Sequence, residues 1–155
     1  MTALQWFERL GASAPGRWLF TRMVCWRAPY FASIAPRIDG LQPGRCVVRL
    51  RDRRRVHNHI GTVHAIALCN AAELAGGLAI DAALPPQLRW IPKGMQVRYL
   101  KKASGTLCAT AVVPPIDAAQ GAHEVHTRVE VRDRNDEVVF DADIAMWVSP
   151  RASVA

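Results

Sequence analysis

The sequence predicts an α+β domain in which a curved antiparallel sheet wraps one long apolar helix. Three observations predict it. A stretch of about 22 residues, 62–83, is apolar nearly all round and stops at Pro85-Pro86. From Ile91 onward apolar residues recur at every second position, in four segments separated by turn residues. The chain has 155 residues, half of them hydrophobic and 21% charged, which suits one ordered domain with a sizeable core.

The elements follow in chain order. Thr2 caps a short helix that ends at Gly11, with Leu4, Phe7 and Leu10 on one side. Pro15 opens a second helix, whose Leu19, Met23 and Trp26 recur at helical spacing. The aromatics of this region (Trp6, Phe7, Trp18, Phe20, Trp26, Tyr30, Phe31) form either a ligand box or a cover over the sheet. Pro29 and Pro36 end the helical part and lead into a strand around Arg37–Leu41. After the turn at Gln42-Pro43-Gly44, the segment 45–52 alternates with Cys46, Val48 and Leu50 inward. A polar loop, 53–61, feeds the long helix. Strands are then expected at 91–101, 106–113, 122–132 and 138–148, pairing in sequence as a four-stranded meander. Residues 1–34 thus read as a helical extension and 35–150 as the domain proper.

The net charge of +7 is unevenly placed. Residues 1–113 hold 16 basic and 5 acidic side chains, and 114–148 hold 3 basic and 8 acidic. Six arginines crowd 45–55 with only Asp52 among them, and five cations span 89–102 with no acid. Such runs suit a nucleic acid, an anionic membrane or a phosphorylated ligand. A nucleic-acid reading is disfavoured, because no aromatics interleave the 49–55 run and no nucleic-acid motif is present. The four cysteines lack a CxxC pair and sit among apolar neighbours, as reduced thiols of a cytoplasmic protein do. The first ten residues mix Gln5, Glu8 and Arg9 into their apolar positions, unlike a secretory leader. His64, Asn70, Glu73 and Asp81 interrupt the longest apolar run, which favours a buried helix over a membrane span. The five histidines do not assemble a metal site: His57, His59 and His64 lack a sensibly spaced acid, and His123 and His126 point to opposite faces of a strand.

Residues 58–73 read NHIGTVHAIALCNAAE: an Asn, six residues on a His at the start of the helix, and nine later an acid. This pattern resembles the phenylacetate-type branch of the hotdog-fold acyl-CoA thioesterases. The Asn-His-x-Gly-Thr stretch, the Glu-Leu-Ala-Gly-Gly stretch at 73–77 and the Trp-Ile-Pro-Lys-Gly-Met stretch at 90–95 resemble an uncharacterised bacterial subfamily of that fold. The resemblance covers roughly residues 35–148. It implies a hotdog fold, an acyl-CoA or related thioester as substrate, no cofactor, and a homodimer, or a tetramer of such dimers, whose sites are shared between chains.

Thioester hydrolysis needs a base or nucleophile, a home for the oxyanion and a grip on the thiol carrier. Glu73 is the only acid between Asp52 and Asp81, in mid-helix, where partial desolvation would suit it to act as base or nucleophile. Alternatively it bonds to Asn70, to a backbone group or to an arginine. The helix start offers unpartnered N–H groups for an oxyanion. In the family the His there is followed by glycines, whereas this chain has Ala65 and Ile66, with Gly61 offering clearance one turn earlier. By the resemblance, Asn58 orients water or the thioester; alternatively it caps the loop. His64 is either a donor behind the site or a residue that stabilises the helix start.

Gly76 and Gly77 are read as sharing the helix face of Glu73, where a close chain, an acyl group or a partner helix would pass. Leu68, Leu74 and Met95 line either an acyl pocket or ordinary core. Arg98, Lys101 and Lys102, with arginines from 51–55, are candidates to hold the phosphates of CoA. Ala65 and Glu73 lie about 12 Å apart along the helix axis, too far to reach one carbonyl carbon from one chain, which is why a shared site is expected. The competing expectation is a non-catalytic acyl-CoA or lipid binder, its oxyanion site spoiled by Ala65 and Ile66.

Overall fold

The computed structural model describes residues 1–151. Helices α1 (Ala3–Leu10) and α2 (Ala14–Arg27) and a 3-10 turn (Pro29–Ile34) precede strands β1 (Arg37–Gln42) and β2 (Arg45–Leu50). Helix α3 (Ala65–Ala83) follows, then β3 (Leu88–Tyr99), β4 (Leu107–Val112), β5 (His123–Arg132) and β6 (Val138–Pro150). The six strands form one antiparallel sheet in the order β1-β2-β4-β5-β6-β3, curved around α3. This is the hotdog fold the sequence led us to expect.

The strand order corrects one expectation. β4, β5 and β6 do form a meander, but β3 pairs with β6 rather than with β4. The reason lies in α3, which at 19 residues is about 28 Å long and carries the chain from β2 to the far edge of the sheet. Residues 100–106 then cross back, anchored where the Leu100 and Lys101 amides donate to the Val139 carbonyl and where Val63 N–H donates to Ala103. Ser104-Gly105 is therefore the end of a crossover and not a hairpin turn. β3 carries the marks of an edge strand: Pro92 lacks an N–H, and the register slips between Pro92 and Gly94.

Local chemistry fixes the elements. Thr2 and Gln5 form a capping box at the start of α1. Ser13 caps α2 by accepting from Gly16 N–H at 3.1 Å. A Cβ at Gly16 would lie 1.9 Å from the Leu10 carbonyl oxygen, so only glycine permits this tight junction. Phe7 and Phe20 meet edge to face at 5.1 Å and close the core from the α1–α2 side. Thr21 Oγ1 donates to the Arg17 carbonyl and accepts from Ile38 N–H, which pins α2 to β1.

Helix α3 presents Ala71, Ala72, Ala75 and Ala79, all fully buried, to the sheet side of the core. Small side chains let the helix axis approach the strands closely. Gly76 carries this furthest: a Cβ there would come within 3.0 Å of Ile144 and 3.3 Å of Thr127. Gly77 instead faces Trp90, so the two glycines serve different faces, contrary to the expectation that they share one. By length and composition α3 could cross a bilayer, but it is mostly buried inside the fold, as a core helix is. Cys25 and Cys46 are buried and Cys69 and Cys108 half-buried, all four free; burial pushes the Cys46 thiol up to about 12.

Replacing Gly76 by Val is expected to lower stability by about 1–3 kcal/mol through overpacking against Ile144 and Thr127. Urea unfolding monitored by circular dichroism measures it; a stability unchanged or raised would mean that the helix can shift away from the sheet at no cost.

Candidate active site

Helix α3 starts at Ala65, three residues later than the sequence suggested, because residues 57–63 form a loop closed by the His57–Val63 bridge. His64 is the helix cap: its Nδ1 accepts the Ile66 N–H at 3.0 Å, and its carbonyl accepts from Ala67 and Leu68. It is exposed, and with Nδ1 accepting, the neutral ring carries its proton on Nε2, so His64 stabilises the helix start and keeps one ring N–H as a donor. Its cap occupies the Ile66 amide. Among the described residues, the Ala65 N–H is the first-turn donor without an acceptor.

Asn58 organises the loop in front of that donor. Its Oδ1 accepts from Ile60 and Thr62 N–H, each at 3.1 Å, and its Nδ2 donates to Thr62 Oγ1 at 2.9 Å. The loop turns at Gly61, whose φ of 78° suits a residue without a Cβ. One Nδ2 hydrogen of Asn58 remains for a ligand. Asn58, Ala65 and Leu68 line one open recess together with Tyr99, Lys101 and Lys102. The Tyr99 hydroxyl lies 3.3 Å from Cys69 Sγ, and this contact, with some burial, pushes the phenol up to about 12.

The loop is held from behind by a group that sequence reasoning passed over. One Asp52 carboxylate oxygen pairs with His57 Nε2, and the other accepts from Gly105 N–H at 2.6 Å. These bonds tie the end of β2, the Asn58 loop and the β3–β4 crossover together. The His57 hydrogen bond and the Gly105 amide hold the Asp52 carboxyl below the usual carboxylate range. The signal available in the sequence was that Asp52 is the one acid inside an arginine run.

Glu73 sits elsewhere. It is exposed on the single chain, so the expected partial desolvation is not present there, and it does not bond to Asn70, which donates to Ser33 Oγ. It faces a groove of about 780 Å³, mostly apolar, between α3 and the α1–α2 bracket. Leu74, Gly77 and Leu78 of α3 line it on one side, and Met23, Phe31 and Trp90 on the others. The amino-terminal aromatics divide accordingly: Phe7 and Phe20 are core, Trp6, Trp26 and Phe31 border the groove, and Trp18 and Tyr30 are exposed outside it. Met95 is half-buried on β3 and packs against the core.

The expected phosphate-binding cations also separate. Arg98 forms a two-pronged pair with Asp141 on the outer face of the sheet, away from the Asn58 recess. Lys101 pairs with Glu137 at 2.6 Å, while Lys102 lines the recess. The structure therefore brings Asn58, Ala65, Lys101 and Lys102 together, sets Glu73 with Gly77, and leaves Arg98 apart. Among the described residues no group of His, Cys, Asp and Glu is placed to hold a metal.

Asp52→Asn is expected to destabilise the fold by about 1.5 kcal/mol at neutral pH, since it weakens hydrogen bonds to a charged acceptor. The folded carboxyl lies below its unfolded value. Its contribution is thus fully present above the unfolded value and lost as pH falls through the folded one. Thermal melts between pH 7 and 3 should show the variant and wild type converging in acid; parallel curves would contradict this role.

Solved structures support the fold. The structural-genomics protein APC5556 superposes with a TM-score of 0.84 at 43% identity, over 96% of this chain and 99% of that one. A Pseudomonas aeruginosa protein of unknown function, described as a probable thioesterase, gives 0.73 at 23% identity over 82% and 91% of the two chains. A Haemophilus influenzae thioesterase gives 0.73 at 14% identity over 85% and 90%. No curated protein matches the chain. The family model described as a domain of unknown function, DUF4442, matches residues 16–148, a span that takes in α2 as well as the sheet and its helix; the chain belongs to this DUF4442 family and has the hotdog fold of its thioesterase neighbours.

Proposed function

We propose that the chain is a thioester hydrolase acting on acyl-CoA or a related thioester, with Glu73 as the base or nucleophile. The observation that carries this reading is that Glu73, an acid on the core helix of a thioesterase-type fold, faces the mostly apolar 780 Å³ groove. The acyl chain lies against Met23, Phe31, Leu78 and Trp90. Glu73 takes a proton from water, whose oxygen attacks the thioester carbonyl, or attacks it directly to form an anhydride that water then opens. The oxyanion is met by the Ala65 N–H at the positive end of α3 and by the free Nδ2 hydrogen of Asn58. Collapse of the tetrahedral intermediate breaks the C–S bond, and the departing thiolate takes up the proton that Glu73 removed from water or, on the nucleophile route, one from solvent, which leaves Glu73 as the carboxylate at the end of the cycle.

Glu73 and Ala65 of one chain are about 12 Å apart along α3, so the acid of one chain serves the helix start of another. A homodimer with two equivalent sites follows, in which the exposed Glu73 becomes desolvated only on assembly. The outer edge of β3 has no partner strand among the described residues and offers a surface for that pairing. The four free thiols suit a reducing, cytoplasmic setting.

A second reading, binding without turnover, draws support from His64: its cap takes the Ile66 amide and leaves the oxyanion one backbone donor fewer. Hydrolysis of acyl-CoAs of graded chain length decides between the two. Glu73→Gln is expected to lower kcat by about 10²–10⁴-fold with folding intact; full activity in the variant would remove Glu73 from the chemistry. Light scattering should find a dimer, and an active monomer would overturn the shared site.

A further inference from the structure

Six arginines converge on one recess of about 340 Å³ between α2, β1, β2 and the loop that follows β2: Arg22, Arg37, Arg49, Arg51, Arg53 and Arg55. Among the described residues Asp39 is the one carboxylate that pairs with any of them, bonding Arg37 at 2.9 Å and Arg49 at 2.6 Å. Among the described residues Arg22, Arg51 and Arg53 have no hydrogen-bonding or ionic partner on their side chains, and Arg55 has only a long contact, 3.5 Å, to the Ala32 carbonyl. Some cations elsewhere in the chain do meet an acid. Arg98, Lys101 and Arg132 each have a carboxylate within 2.7 Å. Here four guanidinium groups without a carboxylate partner line a single recess, where their like charges repel.

We propose that this recess binds the phosphates of a nucleotide carrying two or more phosphate groups. The cations are all arginine, whose planar fork meets phosphate oxygens two at a time, where lysine would offer only a point charge. The recess is bounded and lies at the small end of ligand-site sizes, which fits a compact head group and not a polymer backbone. Trp18, 62% exposed at its border, presents an indole face on which a base can stack. The site draws on elements far apart in sequence. Arg22 and Trp18 come from α2, and Arg37 comes from β1, so the arginine run at 45–55 supplies only part of it. The inference depends on the proposed hydrolysis only in naming the thiol carrier, which becomes a nucleotide-bearing thiol rather than a protein-bound one. The binding itself requires no catalysis.

The test is titration of the full chain with adenosine 3′,5′-bisphosphate at about 0.15 M ionic strength, followed calorimetrically and by tryptophan fluorescence. The expected result is saturable binding that adenosine lacks, weakened about tenfold or more in R51E/R53E and in R22Q, and unchanged in Glu73→Gln. Sedimentation with phosphatidylglycerol vesicles distinguishes a lipid head group as the source of the phosphate. No bisphosphate binding, equal binding by the arginine variants, or capture by vesicles in place of the nucleotide each overturns the proposal. Bisphosphate binding without acyl-CoA hydrolysis upholds the recess and removes the hydrolase reading; hydrolysis unaffected by R51E/R53E, with no bisphosphate binding, does the reverse.

Discussion

The close approach of α3 to the concave sheet is the contact on which the molecule depends. It is made by absence of side chain: alanines and Gly76 line the buried face, and Ile144 and Thr127 fill the space that a larger residue would take. The burial of α3 contributes to the core, yet its position does more than stabilise. The helix start, and with it the Ala65 N–H, is held at one end of the sheet, and its exposed stripe is turned toward the α1–α2 bracket. Moving the helix outward by the width of a methyl group would displace the Ala65 N–H and Glu73 together.

The division of labour along α3 follows from helical geometry. One end supplies backbone donors and the Asn58 loop; the middle supplies a carboxylate and the floor of an apolar groove. No bending brings these together within one chain, because the intervening turns are packed on the sheet. The neighbouring loop is equally constrained, since Asp52 bonds His57 on one side and the Gly105 amide on the other. The proposed site gains rigidity from its scaffold, and the proposed reaction obtains proximity from assembly.

Much of the fold was legible in the sequence because burial imposes periodicity. The alternation at Cys46, Val48 and Leu50, and at Val125 through Val131, follows directly from one face being core and the other solvent. The strand order was not legible in the same way. Pairing of β3 with β6 is decided by a crossover whose anchors are backbone bonds at Ala103 and Val139, and backbone bonds leave no imprint on residue type. The candidate acid was legible because a rare residue type interrupts a pattern, as Glu73 does on an apolar helix. The rest was obscured where function falls to shared or distant groups: Arg98 belongs by sequence to a basic run, but its cross-strand neighbour Asp141 neutralises it. Arg22 gave no sign of joining Arg53, because only the docking of α2 on β1, through Thr21 and Ile38, brings them to one recess.

The exposed edge of β3 also bears on how the protein stays dispersed. A twelve-residue strand with one open side is a template for runaway stacking by any extended segment, in a nascent chain as in a concentrated solution. Pro92 removes an N–H from this ladder, Lys93 lies over Trp147 and adds a charge beside it, and the register slip before Gly94 breaks its flatness. The stretch 94–99 is left as the regular part of the edge. Pro92 thus acts as a gatekeeper against aggregation, and its loss would surface first as poor solubility in a protein whose folded core is unaltered.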